Sequence, residues 1–280
     1  MKIELRRVSF QYHQLGVPTK EERAVLADID LVVQHHEILS IVGPSGSGKT
    51  TLIQILNGLL VPNHGQIFLD DQPIQVNGEY ACNWFRRVGI VFQFPELQFF
   101  ENTIYDEIAF ALRNRRMPES EIKTRVENVL KTLELHDGDF CHRSPFHLSE
   151  GQKRRVAIAS ILVLDPEVLI LDEPTSGLDY AGVNLIKRII DRIYHDNRIV
   201  IIVSHDMDFV AELSQRVVAL VEGKVLFDGV KADFFTQEKL LQQAHLQPPQ
   251  VMRLARRLIQ EGKKVKYPVF SLIELQDSLA

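Results

Sequence analysis

The sequence predicts an α/β fold: a core built on a parallel sheet, preceded by an antiparallel β-subdomain, interrupted by an α-helical subdomain and extended by a short helical C-terminal appendage. Three observations carry the prediction. A short apolar strand, ILSIV at 38–42, runs into a Gly-rich turn and then a helical pattern. The runs IFL (67–69), VGIVF (88–92), VLIL (168–171) and IVIIV (199–203) are apolar throughout, as strands buried on both faces of a parallel sheet are. Between 103 and 135 the apolar period lengthens to helical spacing.

Taken in order, Ile3, Leu5, Val8 and Phe10, then LADIDLVV at 26–33, read as strands of a starter sheet separated by the polar insertion HQLGVPTKEER. The first helix begins near Lys49 and runs to Asn57, with Gly58 as its stop. Ile104, Ile108 and Leu112, then Val126, Val129, Leu130 and Leu133, give two helical runs broken at Pro118, and the inserted subdomain covers about 96–164. Val183, Ile186, Ile190 and Ile193 share one face of a later helix. The core domain then spans 1–235. Two short helical patterns split by Pro248 and Pro249 make an appendage over 236–280, with Leu254, Leu258 and Ile259 on one side.

Composition excludes several classes. Lys+Arg number 32 and Asp+Glu 37, a formal charge of −5, which argues against a nucleic-acid binder relying on overall positive charge. With 45% hydrophobic and 25% charged residues the chain is neither disordered nor fibrous. Cys82 and Cys141 are too few and too far apart for a disulfide framework and read as reduced thiols. MKIELRRVSF has no apolar signal core. The most apolar stretch, Val156 to Leu171, is broken by Asp165, Pro166 and Glu167, short of the roughly 18 residues a membrane span needs. Any membrane role is therefore expected to be peripheral.

Gly43-Pro44-Ser45-Gly46-Ser47-Gly48-Lys49-Thr50 fits G-x-x-x-x-G-K-[ST] at every fixed position. Glycines allow a tight loop whose N–H groups surround phosphate oxygens, Lys49 reaches the β and γ phosphates, and Thr50 offers a hydroxyl to Mg²⁺. VLILDEP then brings two carboxylates to the end of a buried strand: Asp172 to hold Mg²⁺, and Glu173 to polarise a water in line with the γ phosphate. His205, after IVIIV, is positioned to hold that water against a γ-phosphate oxygen. Gln93, after VGIVF, can sense Mg²⁺ and water through its amide.

These residues, with LSEGQ at 148–152 and SGLD at 176–179, occur in the order found in ATP-binding-cassette (ABC) transporter ATPases, which the chain resembles over about 1–235. LSEGQ separates that family from other phosphate-loop ATPases. Ser149 is expected to cap a helix from about Gly151 to Leu164, making an anion site. The resemblance implies that this site, with Ser149, Glu150, Gly151 and Gln152, serves the ATP of a partner subunit in a head-to-tail pair. It also implies that Tyr12 stacks on adenine, that Thr51 joins the phosphate loop, and that Asp179 lies at the contact between the two sites. Glu150 departs from the commonest signature, LSGGQ, and is tolerable where it faces solvent.

FQFPELQFF after Gln93, SPFHLSEGQKRRVAIASIL and the tail beyond Phe235 resemble the second ATPase subunit of energy-coupling factor (ECF) importers. That resemblance implies ATP and Mg²⁺ as cofactors, a related second ATPase subunit, a transmembrane scaffold and, through it, a substrate-binding membrane protein that captures a vitamin or transition-metal ion. It implies a place at the cytoplasmic face of the cell membrane and no nucleic acid. A conventional ABC importer, or a soluble ABC-family ATPase acting on nucleic acid or ribosomes, are the alternatives. Phe92, Phe94, Leu97, Phe99 and Phe100 offer an apolar groove for a membrane partner's helix. Lys153, Arg154 and Arg155 read as a solvated helix face.

Overall fold

A computed structural model of the chain describes residues 1–12, 24–74, 84, 86–135 and 138–279. These residues form two units, Met1–Val76 with Ile201–Ala280, and Asn77–Val200. The polar insertion at 13–23 and Cys82 lie outside the described residues.

The first unit opens with β1 (Ile3–Phe10), β2 (Leu26–Val33), β3 (Ile38–Val42), α1 (Lys49–Asn57), β4 (His64–Leu69) and β5 (Gln72–Pro73). An antiparallel sheet runs in the order β2-β1-β4-β5. The phase slip from Ile3 and Leu5 to Val8 and Phe10 is a register shift in β1, where Arg7 takes a φ of 46°. An extra residue at such a shift keeps both apolar pairs on the buried face. IFL at 67–69 corrects the expectation of a central parallel strand: β4 lies antiparallel to β1, with Leu5 opposite Ile67. Of its three apolar residues only Ile67 is buried, and Phe68 is covered by the Arg6 guanidinium, 4.0 Å from the ring centroid. Three apolar residues in a row cannot distinguish a doubly buried strand from one whose outer face is shielded by a long cation. α1 has the predicted bounds, and Gly58 ends it at a φ of 81°, as a left-handed cap does.

In the second unit β6 (Val88–Val91) is followed by the helices α2 (Ile104–Asn114), α3 (Glu119–Thr132) and α4 (Glu150–Leu162), then β7 (Val168–Asp172) and α5 (Tyr180–His195). Thr103 starts α2 by accepting the Asp106 N–H at 3.1 Å, and Pro118 marks the start of α3. β6 and β7 are parallel, Val91 opposite Leu171. The buried face of α5 is Ile186, Ile189, Ile190 and Ile193, while Val183 is half-buried.

β8 (Ile199–Val203) follows α5. The first unit continues with α6 (Met207–Leu213), β9 (Arg216–Val221), β10 (Lys224–Val230), α7 (Lys231–Thr236), α8 (Glu238–Gln243), α9 (Gln250–Gln260) and α10 (Leu272–Leu279). β9 lies parallel to β3 and antiparallel to β10. The tail does not form a core of its own. Phe234, Phe235, Leu241, Met252 and Ala255 share one cluster with Val42, Val217 and Ala219 of the sheet. The inward face of α9 is Val251, Met252 and Ala255, whereas Leu254 and Ile259 of the expected face are exposed. Because Phe235 is fully buried, Phe235→Ala is expected to cost about 3–5 kcal/mol. Thermal unfolding checks this; an unchanged midpoint would show that the shared cluster does not depend on Phe235.

Candidate functional site

The first unit carries a phosphate cradle. β3 is buried along its whole length and delivers the chain to Gly43, whose φ is 144°. A Cβ there would lie 2.0 Å from the Leu220 carbonyl oxygen of β9, so only glycine lets the loop pass this close to the sheet. Gly48, with a φ of 101°, is held as tightly: a Cβ would meet Leu26 Cδ2 at 2.7 Å. α1 then begins with no side-chain cap and no acidic residue in its first turn. The positive end of its dipole is therefore left without a protein carboxylate in that turn and suits an outside anion. Lys49 Nζ donates to the Gly43 and Pro44 carbonyls, 2.8 Å each, and so lies folded over the loop. Ser47 Oγ is buried and finds no hydrogen-bond partner among the described residues. Such an orphan costs about 1–3 kcal/mol until a partner is supplied. Donors, a lysine and an orphaned hydroxyl fit an oxyanion.

Tyr12 stands beside this loop, its hydroxyl 3.3 Å from Thr51 Oγ1. Its ring meets Phe10 edge-on at 4.9 Å and remains 50% exposed, a platform open to a flat heterocycle. Ser45, Gly46 and Thr50 are exposed. His205 is exposed at the end of β8, where Asp206 caps α6 by accepting the N–H groups of Asp208 and Phe209.

The second unit carries the carboxylates. Asp172 closes β7 and Glu173 follows it, both buried. Glu173 has a φ of 49°. A left-handed backbone costs a non-glycine residue about 1–2 kcal/mol, so the surrounding turn must hold it. Within that turn the Ser176 N–H donates to the Glu173 carbonyl at 3.2 Å and the Leu178 N–H to Thr175 at 3.1 Å. Since Val91 pairs with Leu171 in parallel register, Gln93 and Glu173 leave the sheet at the same edge, each two residues further on. The Asp172 carboxylate is a hard oxygen donor of the kind Mg²⁺ takes, and the described residues hold no cluster of three or more His, Cys, Asp or Glu.

The signature segment starts α4 with a capping box: Ser149 Oγ accepts the Gln152 N–H, and the Gln152 side chain accepts the Ser149 N–H at 3.1 Å. A cavity of about 360 Å³ lies over it, lined by Ser149, Gly151, Gln152, Gly177, Leu178 and Asp179 among others. Asp179 also caps α5, accepting the Gly182 N–H at 2.7 Å. Glu150 is exposed and paired with Lys153 at 2.9 Å, so its carboxylate is solvated and neutralised one helical turn away.

Two sequence expectations change here. None of the basic run is a freely solvated cation: the Lys153 side chain is 20% exposed and paired with Glu150. Arg154 is 5% exposed, and Arg155 Nη1 donates to the Leu133 and Glu134 carbonyls at 3.1 and 2.8 Å. The signal was available: Arg154 stands four and eight residues before Ile158 and Leu162, in the buried stripe of α4. The Phe-rich segment also divides. Phe94, Leu97 (82%) and Phe100 are exposed, Phe92 is half-buried, and Phe99 is buried. Phe100 meets the half-exposed Phe110 edge-on at 4.6 Å, which extends the exposed patch.

Comparison with known proteins agrees with this inventory. Residues 26–176 match the model of the ABC transporter family. The energy-coupling factor transporter ATP-binding protein EcfA2 of Clostridium tetani is 38% identical over 100% of this chain and 96% of its own length. Among solved structures, cbiO1 from Clostridium perfringens, described as part of the ABC transporter complex cbiONQ, aligns with a TM-score of 0.77 and 32% identity. The alignment covers 93% of this chain and 96% of that one. The ATP-binding cassette MJ0796, solved as a dimer in a post-hydrolysis state with ADP and Pi, aligns with a TM-score of 0.71 and 27% identity, over 81% of this chain and 98% of that one. A phosphate cradle, a strand ending in paired carboxylates and a capped signature helix thus meet full-length similarity to named transport ATPases: the chain belongs to the ABC transporter family, as an ATPase of the energy-coupling factor kind whose ATP hydrolysis is coupled to transport.

Proposed function

We propose that this chain is one of two related ATPase subunits of an ECF-type importer that takes up a vitamin or a transition-metal ion. The observation that carries the reading is the exposed apolar patch of Phe94, Leu97 and Phe100, which begins one residue after Gln93. A surface of this kind is costly to leave in water and is suited to an amphipathic helix of a membrane partner. Among the described residues no helix is long and apolar enough to cross a membrane. In this reading the scaffold and the substrate-binding membrane protein are separate chains. The chain works at the cytoplasmic face of the membrane. In this reading 1–235 is the nucleotide-binding cassette and 236–280 its appendage.

The residues divide the chemistry. Tyr12 stacks on adenine, and Gly43 to Thr51 enclose the phosphates, with Lys49 on the β and γ groups. Thr50, Asp172 and Gln93 would hold Mg²⁺, which when bound neutralises phosphate charge and fixes the geometry of transfer. Glu173 takes the proton of the attacking water while His205 and Gln93 hold that water in line. Ser149, Glu150, Gly151 and Gln152 of one subunit complete the site of the other, and Asp179 joins the two. ATP binding closes the pair, hydrolysis reopens it, and the movement is passed to the scaffold.

Purifying the tagged chain from its native membrane tests the assembly. A second ATPase, a membrane scaffold and a small substrate-binding membrane protein are expected; a periplasmic-type binding protein would overturn the ECF assignment. Leu97→Asp together with Phe100→Asp is expected to reduce recovery of the scaffold at least about tenfold, the scale of one lost apolar anchor, while ATP binding stays unchanged. Undiminished recovery would remove the patch from the interface.

A further inference from the structure

Arg154 is the charged residue that α4 buries. Its Nη2 donates to the Ser176 carbonyl at 3.1 Å, while Nη1 is buried and finds no hydrogen-bond partner among the described residues. Desolvating a guanidinium is unfavourable, and an apolar side chain of similar volume would fill the site without that cost. Retaining it calls for something the bond accomplishes. Burial pushes the guanidinium below its ordinary pKa, and the carboxylates of Glu96, Glu150, Asp172 and Glu173 act through space in the opposite direction. The cation therefore stands among the acidic groups of the second unit, with its one direct bond placed on the turn that follows Glu173.

That turn is strained at its first residue, where Glu173 has a φ of 49°. It is closed by the Ser176 N–H on the Glu173 carbonyl, and Ser176 presents its own carbonyl to Arg154. We propose that Arg154 is a positioning residue for hydrolysis: by holding Ser176 it locks the 173–176 turn, keeps Glu173 in its left-handed conformation and so fixes the carboxylate that activates water. A strained residue persists only where its surroundings over-determine it, and here those surroundings include the bond from Ser176 and the buried arginine that holds it. The inference rests on the role given to Glu173 above. It adds that the helix capped by the signature serine also reaches back, through its fifth residue, to the chain's own catalytic strand.

The test compares Arg154→Met and Arg154→Lys in the full chain, assayed in the complex with which it purifies. Arg154→Met keeps the bulk and removes the donors. It is expected to lower kcat about tenfold to a hundredfold with KM for ATP within about threefold, because misplacing a catalytic group is felt in the chemical step. Amide exchange at Ser176 and Leu178, measured without nucleotide, is expected to rise at least about tenfold. Arg154→Lys, which retains one donor and the charge, is expected to recover most of the lost kcat. The proposal is overturned if Arg154→Met leaves kcat within twofold, if KM rises as far as kcat falls, or if Lys is no better than Met. Should Arg154→Met not fold, Arg154→Lys decides alone: a reduced kcat at unchanged KM with faster exchange at Ser176 supports the clamp, and wild-type kcat with faster exchange refutes it. Absence of turnover in the unsubstituted complex would refute the functional reading instead, while exchange at Ser176 still decides whether Arg154 holds the turn.

Discussion

Glu173→Gln is expected to lower ATP turnover about a thousandfold while leaving ATP affinity nearly unchanged. The amide matches the carboxylate in size, so the left-handed backbone at 173 and the bond from Ser176 to its carbonyl survive. What is lost is the base. General-base catalysis contributes typically about 10²–10⁴-fold, and a thousandfold corresponds to about 4 kcal/mol of barrier. Because hydrolysis reopens the pair in the proposed cycle, the variant should also remain paired when ATP is present. Steady-state phosphate release and size-exclusion chromatography with ATP check the two halves of this expectation. Turnover within tenfold of wild type would assign the base to another residue.

Gly43→Ala is expected to abolish nucleotide binding, with an affinity loss of at least about a hundredfold and a stability loss of about 2–4 kcal/mol. The added Cβ would sit 2.0 Å from the Leu220 carbonyl oxygen and 3.1 Å from Ser47 Oγ, so either β9 or the loop must move. Backbone has no rotamer with which to step aside. Gly46→Ala in the same loop is the control: it also has a positive φ, 77°, but a Cβ there meets nothing within 4 Å. Strain alone, about 1–2 kcal/mol, should leave binding largely intact. Titration with a fluorescent ATP analogue and thermal unfolding separate the two variants. Equal behaviour would mean that close approach to Leu220 is not what shapes the loop.

The elements read correctly from sequence are those in which local chemistry and tertiary environment agree. α1 begins after Gly48 and ends at Gly58 because both glycines adopt left-handed conformations that no neighbour could replace cheaply. β3, β7 and β8 are buried throughout, and apart from Ser40 and the closing Asp172 they are apolar. The errors occur where one residue's environment depends on a distant partner. Phe68 looked like core material, but its cover is a cation from β1. Arg154 looked like surface, but its partner is a carbonyl 22 residues away. Phe99 and Phe100 are adjacent and identical, yet one is buried and the other exposed, a distinction no composition argument can make. In the candidate site, motif spacing located the phosphate loop, the carboxylates and the capping serine. It was silent on the left-handed backbone at Glu173, because glutamate carries no preference for that conformation.

The first unit is discontinuous in sequence, joining Met1–Val76 to Ile201–Ala280, and this has a consequence for biosynthesis. A ribosome delivers about 5–20 residues per second. The phosphate loop is made early, but the strand that Gly43 packs against and the phenylalanines that seal the core beneath it belong to the last 80 residues, Ile201–Ala280. The middle unit, a continuous segment, can fold while the rest is still being translated. The nucleotide cradle must wait longer, until β9 has left the exit tunnel. A nascent chain that stalls before Leu220 would therefore lack the strand against which Gly43 packs.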